Sequence, residues 1–183
     1  MLLCMTRTLV RLAVACCCAA LLAGCGSSAT DADQPNTPRA PATAPVQVDV
    51  DGVPALSGNP TDLDAPAQAL AGGAQPPTQL VTRDVVVGTG EAATASDTVD
   101  VRYVGTLYSD GTLFDSSWRR GPEPISFPLS GVVPGFAKGI EGMQPGGRRV
   151  IVIPPDLGYG ARGQGPIPAN STLVFVVDLV DIG

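Results

Sequence analysis

The stretch from about Leu80 to Gly183 predicts an α+β domain, an antiparallel β-sheet with one short helix against its inner face. Three observations point there. Short runs alternate apolar and polar residues between Gly and Pro punctuation. Only one stretch has helical spacing. All eight aromatic residues of the 183-residue chain (four Phe, three Tyr, one Trp) fall at or after Tyr103. About 100 residues is enough for one core.

Taken in order, Val99, Val101 and Tyr103 share one strand face while Asp100 and Arg102 share the other, which reads as a half-buried antiparallel strand. Asp110-Gly111 supplies a turn, and Leu113-Phe114 opens the next strand. Arg148 to Pro154 and Thr172 to Ile182 are two more, the last with Leu173, Phe175, Val177 and Leu179 on one side. The helix is placed by Phe136, Ile140 and Met143 at i, i+4 and i+7, behind Pro134 at its first turn. Gly139 and Gly142 weaken it, so it should be short and held by packing.

Two other segments precede this domain. Residues 1–25 carry Arg7 and Arg11 and then an apolar run from Leu12 to Ala23, too short to span a membrane, which takes roughly 20 residues. That is a secretory signal. It ends in Leu22-Ala23-Gly24-Cys25, which resembles the lipobox of bacterial lipoproteins, where the Cys becomes the acylated first residue of the mature chain. More than one acyl chain, each contributing about 0.8 kcal/mol per buried CH₂, makes a lasting membrane anchor. All five Cys lie at or before Cys25, so the exported domain has no disulfide and must stand on its own core. Residues 26–79 are rich in Pro and Ala, hold six Asp and one Arg, and have no aromatic residue. They read as a disordered or polyproline-like tether, with Val46–Val50 its only strand-like alternation.

Composition excludes several classes of function. With no His in the chain, zinc clusters and Ser-His-Asp triads are out, and no metal or cofactor site is expected. A net charge of −6 argues against a nucleic-acid groove. Gly88-Thr89-Gly90 lacks a following helix and reads as a turn, not a phosphate cradle. Arg119-Arg120 and Arg148-Arg149 read as solvated faces, the former pair, with Trp118, near a rim where it would steer acidic peptides.

Read in order, the domain resembles the FKBP family of peptidyl-prolyl cis-trans isomerases from end to end. The strings that carry the likeness are Val101 to Leu107 (VRYVGTL), Asp110-Gly111 through Phe114-Asp115-Ser116-Ser117, and Val132-Val133-Pro134-Gly135-Phe136. Met143-Gln144-Pro145-Gly146, Ile153 to Gly160 (IPPDLGYG), Ile167-Pro168-Ala169-Asn170 and Thr172 to Phe175 complete them. The resemblance implies a twisted antiparallel half-barrel of about five strands wrapped on one short helix. It also implies a proline pocket with Tyr103, Phe114 and Phe175 as aromatic walls, Phe136 as the floor, Val132 and Val133 at the rim and Ile167 on the last loop. Asp115 and Tyr159 take the catalytic positions in that likeness, as polar guides to a twisted amide, and the Val133 N–H grasps a substrate carbonyl.

Three departures stand out. The floor, most often Trp in the family, is Phe136; the rim aromatic is replaced by Ile125; and the segment between Leu129 and Val132 is shorter. A pocket with altered affinity for bulky macrolide inhibitors is expected, on a chain without the family's His-rich metal tail or an inserted chaperone domain.

The chemistry fits these residue types. An X-Pro amide rotates over a barrier of about 18–20 kcal/mol, and its twisted state is less polarised than the planar one. A dry aromatic pocket favours the twisted state without nucleophile, metal or imidazole. The expected activity is therefore isomerisation of X-Pro bonds in exported polypeptides by a lipid-anchored, monomeric protein on the outer side of the cytoplasmic boundary. The alternative is a module that holds Pro-containing segments with little turnover. A purely structural envelope lipoprotein would instead have its aromatic residues sealed inside the core.

Overall fold

The computed structural model describes residues 51–183. The signal segment, Cys25, the Val46–Val50 alternation and the tether up to residue 50 lie outside the described residues. In chain order the strands are β1 (Leu56–Ser57), β2 (Gln68–Ala69), β3 (Val81–Val86), β4 (Thr98–Leu107), β5 (Leu113–Ser116), β6 (Ile125–Pro128), β7 (Gly147–Ile153) and β8 (Leu173–Ile182). One helix, α1, spans Pro134–Ile140.

β4 and β8 run antiparallel along their whole length, with Tyr103 opposite Val177 and Gly105 opposite Phe175. β7 and then β3 extend the sheet beyond β8. On the other side of β4, its C-terminal half pairs with β5 and its N-terminal half with β6. This is the α+β architecture expected from the sequence, with β6 sharing an edge with β5. The alternation places Val99, Val101 and Tyr103 of β4 with Leu173, Phe175, Val177 and Leu179 of β8 in one core, together with Ile151, Ile153 and the buried face of α1.

The helix lies unusually near the sheet. A Cβ at Gly135 would come within 2.3 Å of Ile153 Cγ2, and one at Gly139 within 2.4 Å of Ile151 Cγ2. These two glycines stand four apart, on the face turned to β7, so the residue that weakens the helix intrinsically is the one that lets it pack. Pro134 supplies the first turn, where a missing N–H costs nothing. The helix stops at Ile140; Met143 lies beyond it yet is buried in the same core.

The Arg pair at 148–149 corrects the reading of a solvated face. Arg149 Nη1 donates to the carbonyls of Gly139 and Glu141, each at 3.0 Å, and its Nε donates to Asp84 at 2.6 Å. It thus joins β7, β3 and the C-terminal end of α1, where a cation is favoured. Arg148, on the opposite face of β7, is 1% exposed and forms a two-pronged ion pair with Asp178. Two further guanidinium N–H groups donate to the carbonyls of Pro60 (3.1 Å) and Ala65 (2.9 Å).

The tether boundary also moves. Instead of remaining free up to Leu80, residues 51–79 fold over the outer face of the sheet. β1 and β2 pair as a small hairpin. Val53, Ala67 and Ala69 are buried against Tyr108, Val150, Val152, Val174 and Val176. The reason is that β7 and β8 are apolar on both faces, so the outer face needs cover as much as the inner one. Small side chains and polar backbone anchors suffice for a cover one chain thick.

Gly139→Ala separates propensity from packing. Helix propensity alone would add about 1 kcal/mol of stability, while overpacking against Ile151 costs about 1–3 kcal/mol. The expected outcome is a lower urea unfolding midpoint with unchanged slope. An equal or higher midpoint would mean that α1 can move off the sheet freely.

Candidate functional site

The concave face opens into a pocket of about 560 Å³ between α1, β4, β5, β6, β8 and the loop after α1's partner strand β7. Every residue assigned to the site from the sequence lines it: Tyr103, Phe114, Asp115, Val132, Val133, Phe136, Tyr159, Ile167 and Phe175. The rings are neither splayed nor plugged. Phe136 stands edge-on to Phe175 at 5.0 Å between centroids, and Phe114 edge-on to Phe175 at 5.5 Å. Tyr103 lies 6.1 Å from both Phe136 and Phe175. Such tilted and edge-to-face pairs are favoured, and they present both ring faces and edges to the space between them.

Backbone geometry sets these positions. Tyr103 and Phe175 face the same side because β4 and β8 alternate in register. Gly105 opposes Phe175, and a Cβ there would sit 2.7 Å from Phe114 and 3.0 Å from Phe175. Two rings therefore lean together over a bare backbone. Phe136 reaches the pocket from the first turn of α1, whose Val133 carbonyl accepts the N–H groups of Phe136 and Ala137. Ile167 is presented by a tight loop closed by reciprocal backbone bonds between Gln164 and Ile167 at 3.0 and 2.9 Å. Gly165 and Pro166 of that loop also line the pocket. Tyr159 precedes a 3-10 turn at Gly160–Arg162, which Asn170 N–H ties down through the Gly160 carbonyl.

The pocket carries one connected polar group of side chains. Tyr103 Oη donates to Asp115 Oδ2 at 2.5 Å and accepts from Arg120 Nη2 at 2.9 Å. Arg120 Nη1 is also 3.7 Å from Asp115 Oδ1, which accepts the Ser116 N–H at 2.8 Å. Burial, and then the neighbouring Asp115, push the Tyr103 phenol up to about 12. At neutral pH it is a fixed donor that aims the carboxylate.

Beside the backbone-presenting residues Gly131, Gln164, Gly165 and Pro166, two residues that shape the site were not singled out from the sequence. Phe127 lines the pocket, 6.1 Å from Tyr103 and 6.5 Å from Phe136, whereas Ile125, read as the replacement for a rim aromatic, does not. Residues 125 and 127 share a face of β6, so alternation alone could have brought Phe127 into the set. Arg120, read as a solvated cation, bridges Tyr103 and Asp115 instead. Its neighbour Trp118 does not line the pocket; the Arg102 guanidinium stacks over its ring at 5.3 Å. Among the described residues no group of three or more Cys, Asp or Glu side chains could hold a metal, and no helix is long and apolar enough to cross a membrane.

The Tyr103 phenol has an alkaline signature. Its folded value of about 12 lies above the ordinary 10.0, so the folded state holds that proton more tightly than the unfolded one. Its stabilising effect is complete below pH 10 and is lost as pH rises from there through about 12. Phenolate absorbance of the native chain minus that of Tyr103→Phe should titrate near the upper value, and the variant's stability should fall less steeply over that interval. A difference curve centred on the ordinary value would show the phenol to be solvated.

Comparison with known proteins agrees with this arrangement. Residues 89–180 match the family model described as FKBP-type peptidyl-prolyl cis-trans isomerase. The chain is 52% identical over 105 residues to the FKBP-type peptidyl-prolyl cis-trans isomerase FkpA of Escherichia coli, covering 57% of this chain but only 38% of that protein. It is 45% identical over 104 residues to a probable FK506-binding protein of Corynebacterium glutamicum, covering 57% of this chain and 87% of the relative. The crystal structure of E. coli FkpA superposes with a TM-score of 0.54 at 52% identity, over 57% of this chain and 48% of that one. A ring-lined pocket in a half-barrel, a family model over half the chain, and a relative matched over most of its length make this chain a member of the FKBP-type peptidyl-prolyl cis-trans isomerase family.

Proposed function

We propose that this chain catalyses cis-trans rotation of X-Pro bonds in polypeptides exported from the cytoplasm. The observation that carries the reading is the open, ring-lined pocket with one oriented carboxylate at its edge. A prolyl ring enters between Tyr103, Phe136 and Phe175, with Phe114 and Phe127 as outer walls. Water leaves with its entry, and the planar amide loses solvation that its twisted form needs less. Lowering the barrier by about 5.5 kcal/mol corresponds to roughly 10⁴-fold in rate.

The polar residues act on the twisted amide. The Val133 N–H holds the carbonyl preceding the reacting bond, and Tyr159 donates from the opposite loop. Asp115, held in place by Tyr103 and Arg120, is a polar guide that orients the carbonyl or the prolyl nitrogen of the twisted amide. Because the hydrogen bonds that aim Asp115 exist before substrate arrives, little reorganisation is needed at the transition state.

Cys25 is proposed as the site of lipidation, which would hold the folded part at the outer side of a bacterial membrane. The supporting residues are the short apolar run after Arg7 and Arg11 and the Leu22-Ala23-Gly24-Cys25 sequence.

A protease-coupled assay on a prolyl tetrapeptide tests the activity. Asp115→Ala, Tyr159→Phe and Phe127→Leu should each lower kcat/KM by roughly tenfold or more, a loss of about 1.4 kcal/mol of transition-state binding, with far-ultraviolet dichroism unchanged. Tight ligand binding without turnover by the unaltered chain would turn the reading into a holding module. Activity unchanged in all three variants would remove the site assignment. For localisation, Cys25→Ala should move the exported protein from the membrane fraction to the soluble one; persistence in the membrane fraction would rule out lipid attachment at that thiol.

A further inference from the structure

We propose that residues 51–79 are a positioning strap for the pocket, acting from the far side of the sheet through the turn between β4 and β5. The inference rests on the isomerase reading only for its activity measurement; its structural content is independent of it.

The strap is bound at three kinds of contact. Val53, Ala67 and Ala69 are each at most 1% exposed, packed on the outer valines of β7 and β8. The buried Arg148 guanidinium, already paired with Asp178, donates to two strap carbonyls, so a charge pair of the sheet completes its hydrogen bonds only with the strap seated. The third set grips the turn. Gly72 N–H donates to the Tyr108 carbonyl at 2.8 Å, Gly73 N–H to the Tyr108 hydroxyl at 3.3 Å, and Gln68 Nε2 to the Gly111 carbonyl at 3.1 Å. A Cβ on Gly72 would lie 2.2 Å from Cζ of the Tyr108 ring, so only a residue without a side chain lets the strap backbone come this close to it.

That turn leads directly into the outer wall of the pocket. Leu107 N–H closes it on the Thr112 carbonyl at 2.9 Å, and β5 begins at Leu113 with Phe114 and Asp115 next. β5 pairs with β4 alone, as an edge strand. Its entry is therefore fixed on one side by β4 and on the other by the strap. An edge strand clamped at its turn keeps Phe114 over Gly105 and Asp115 within reach of Tyr103, which an unclamped one would sample only part of the time.

The test uses the full chain. Gly72→Val drives a side chain into the Tyr108 ring, and Gly72→Leu with Tyr108→Ala returns comparable volume to the same place. Gln68→Ala removes one clamp bond without steric load and serves should Gly72→Val fail to fold. Hydrogen exchange is followed at Leu113–Ser116 beside kcat and KM for the prolyl tetrapeptide. Expected in Gly72→Val, or in Gln68→Ala to a smaller degree, is exchange at those amides faster by several-fold and kcat/KM lower by about threefold to tenfold. The double variant should recover part of both. Faster exchange confined to residues 51–79, with β5 protection and kcat/KM unchanged, would overturn the proposal and leave the strap a passive cover. An inactive unaltered chain would refute the isomerase reading, while the exchange at β5 would still decide the strap.

Discussion

The site depends on one close approach, that of α1 to β7. Gly135 and Gly139 bring the helix axis so near the sheet that Ile151 and Ile153 occupy the space where Cβ atoms would stand. Phe136, immediately after Gly135, is thereby committed to the remaining free space among Tyr103, Phe127 and Phe175. A helix held further out would place the same ring over the pocket mouth. Seven residues form no stable helix in isolation, so α1 exists because tertiary contacts and the Arg149 cap hold it. Local weakness and tight packing are here two sides of one choice of residue.

The chemistry proposed for this pocket needs position more than reactivity. No bond is broken in amide rotation, and the energetic difference between planar and twisted amide lies largely in solvation and in charge on the carbonyl and nitrogen. The rings supply the dry surroundings, and the Asp115–Tyr103–Arg120 cluster supplies charge whose direction is fixed in advance. The smaller floor ring has a structural counterpart in Phe127, whose ring stands edge-on to Phe136 and closes part of the wall. The number of rings around the cavity is thus higher than the floor and rim positions alone imply, and six of them line it: Tyr103, Phe114, Phe127, Phe136, Tyr159 and Phe175.

Much of this was legible because it follows period and register. The alternation of Val99, Val101 and Tyr103, and of Leu173, Phe175, Val177 and Leu179, faithfully marks the inner face. Phe136 and Ile140 mark the buried side of α1. The assignment of all nine pocket residues came through the family likeness, since periodicity cannot distinguish a ring that seals a core from one that lines an opening. What escaped was the second layer. The strap has two-residue strands, small buried side chains and several Pro and Gly, and by composition it cannot order itself. Its signal lay elsewhere, in strands such as Arg-Val-Ile-Val-Ile that are apolar on both faces and so require a cover on each. Arg148 and Arg120 escaped for a related reason. A charge pair in a sequence does not reveal whether carbonyls or a carboxylate wait for it.

The strap also changes the geometry of any tethered arrangement. With residues 51–79 folded onto the sheet, only the residues between Cys25 and Asp51 separate the proposed anchor from the folded part. Those 25 residues, at about 3.5 Å each when fully extended, set an upper limit of roughly 85 Å between a lipid at Cys25 and the first strap residue. A free segment reaching to Leu80 would have doubled that limit. The strap lies on the outer face of the sheet and the pocket on the inner one. The strap therefore covers the face opposite the pocket, and none of residues 51–79 lines the opening.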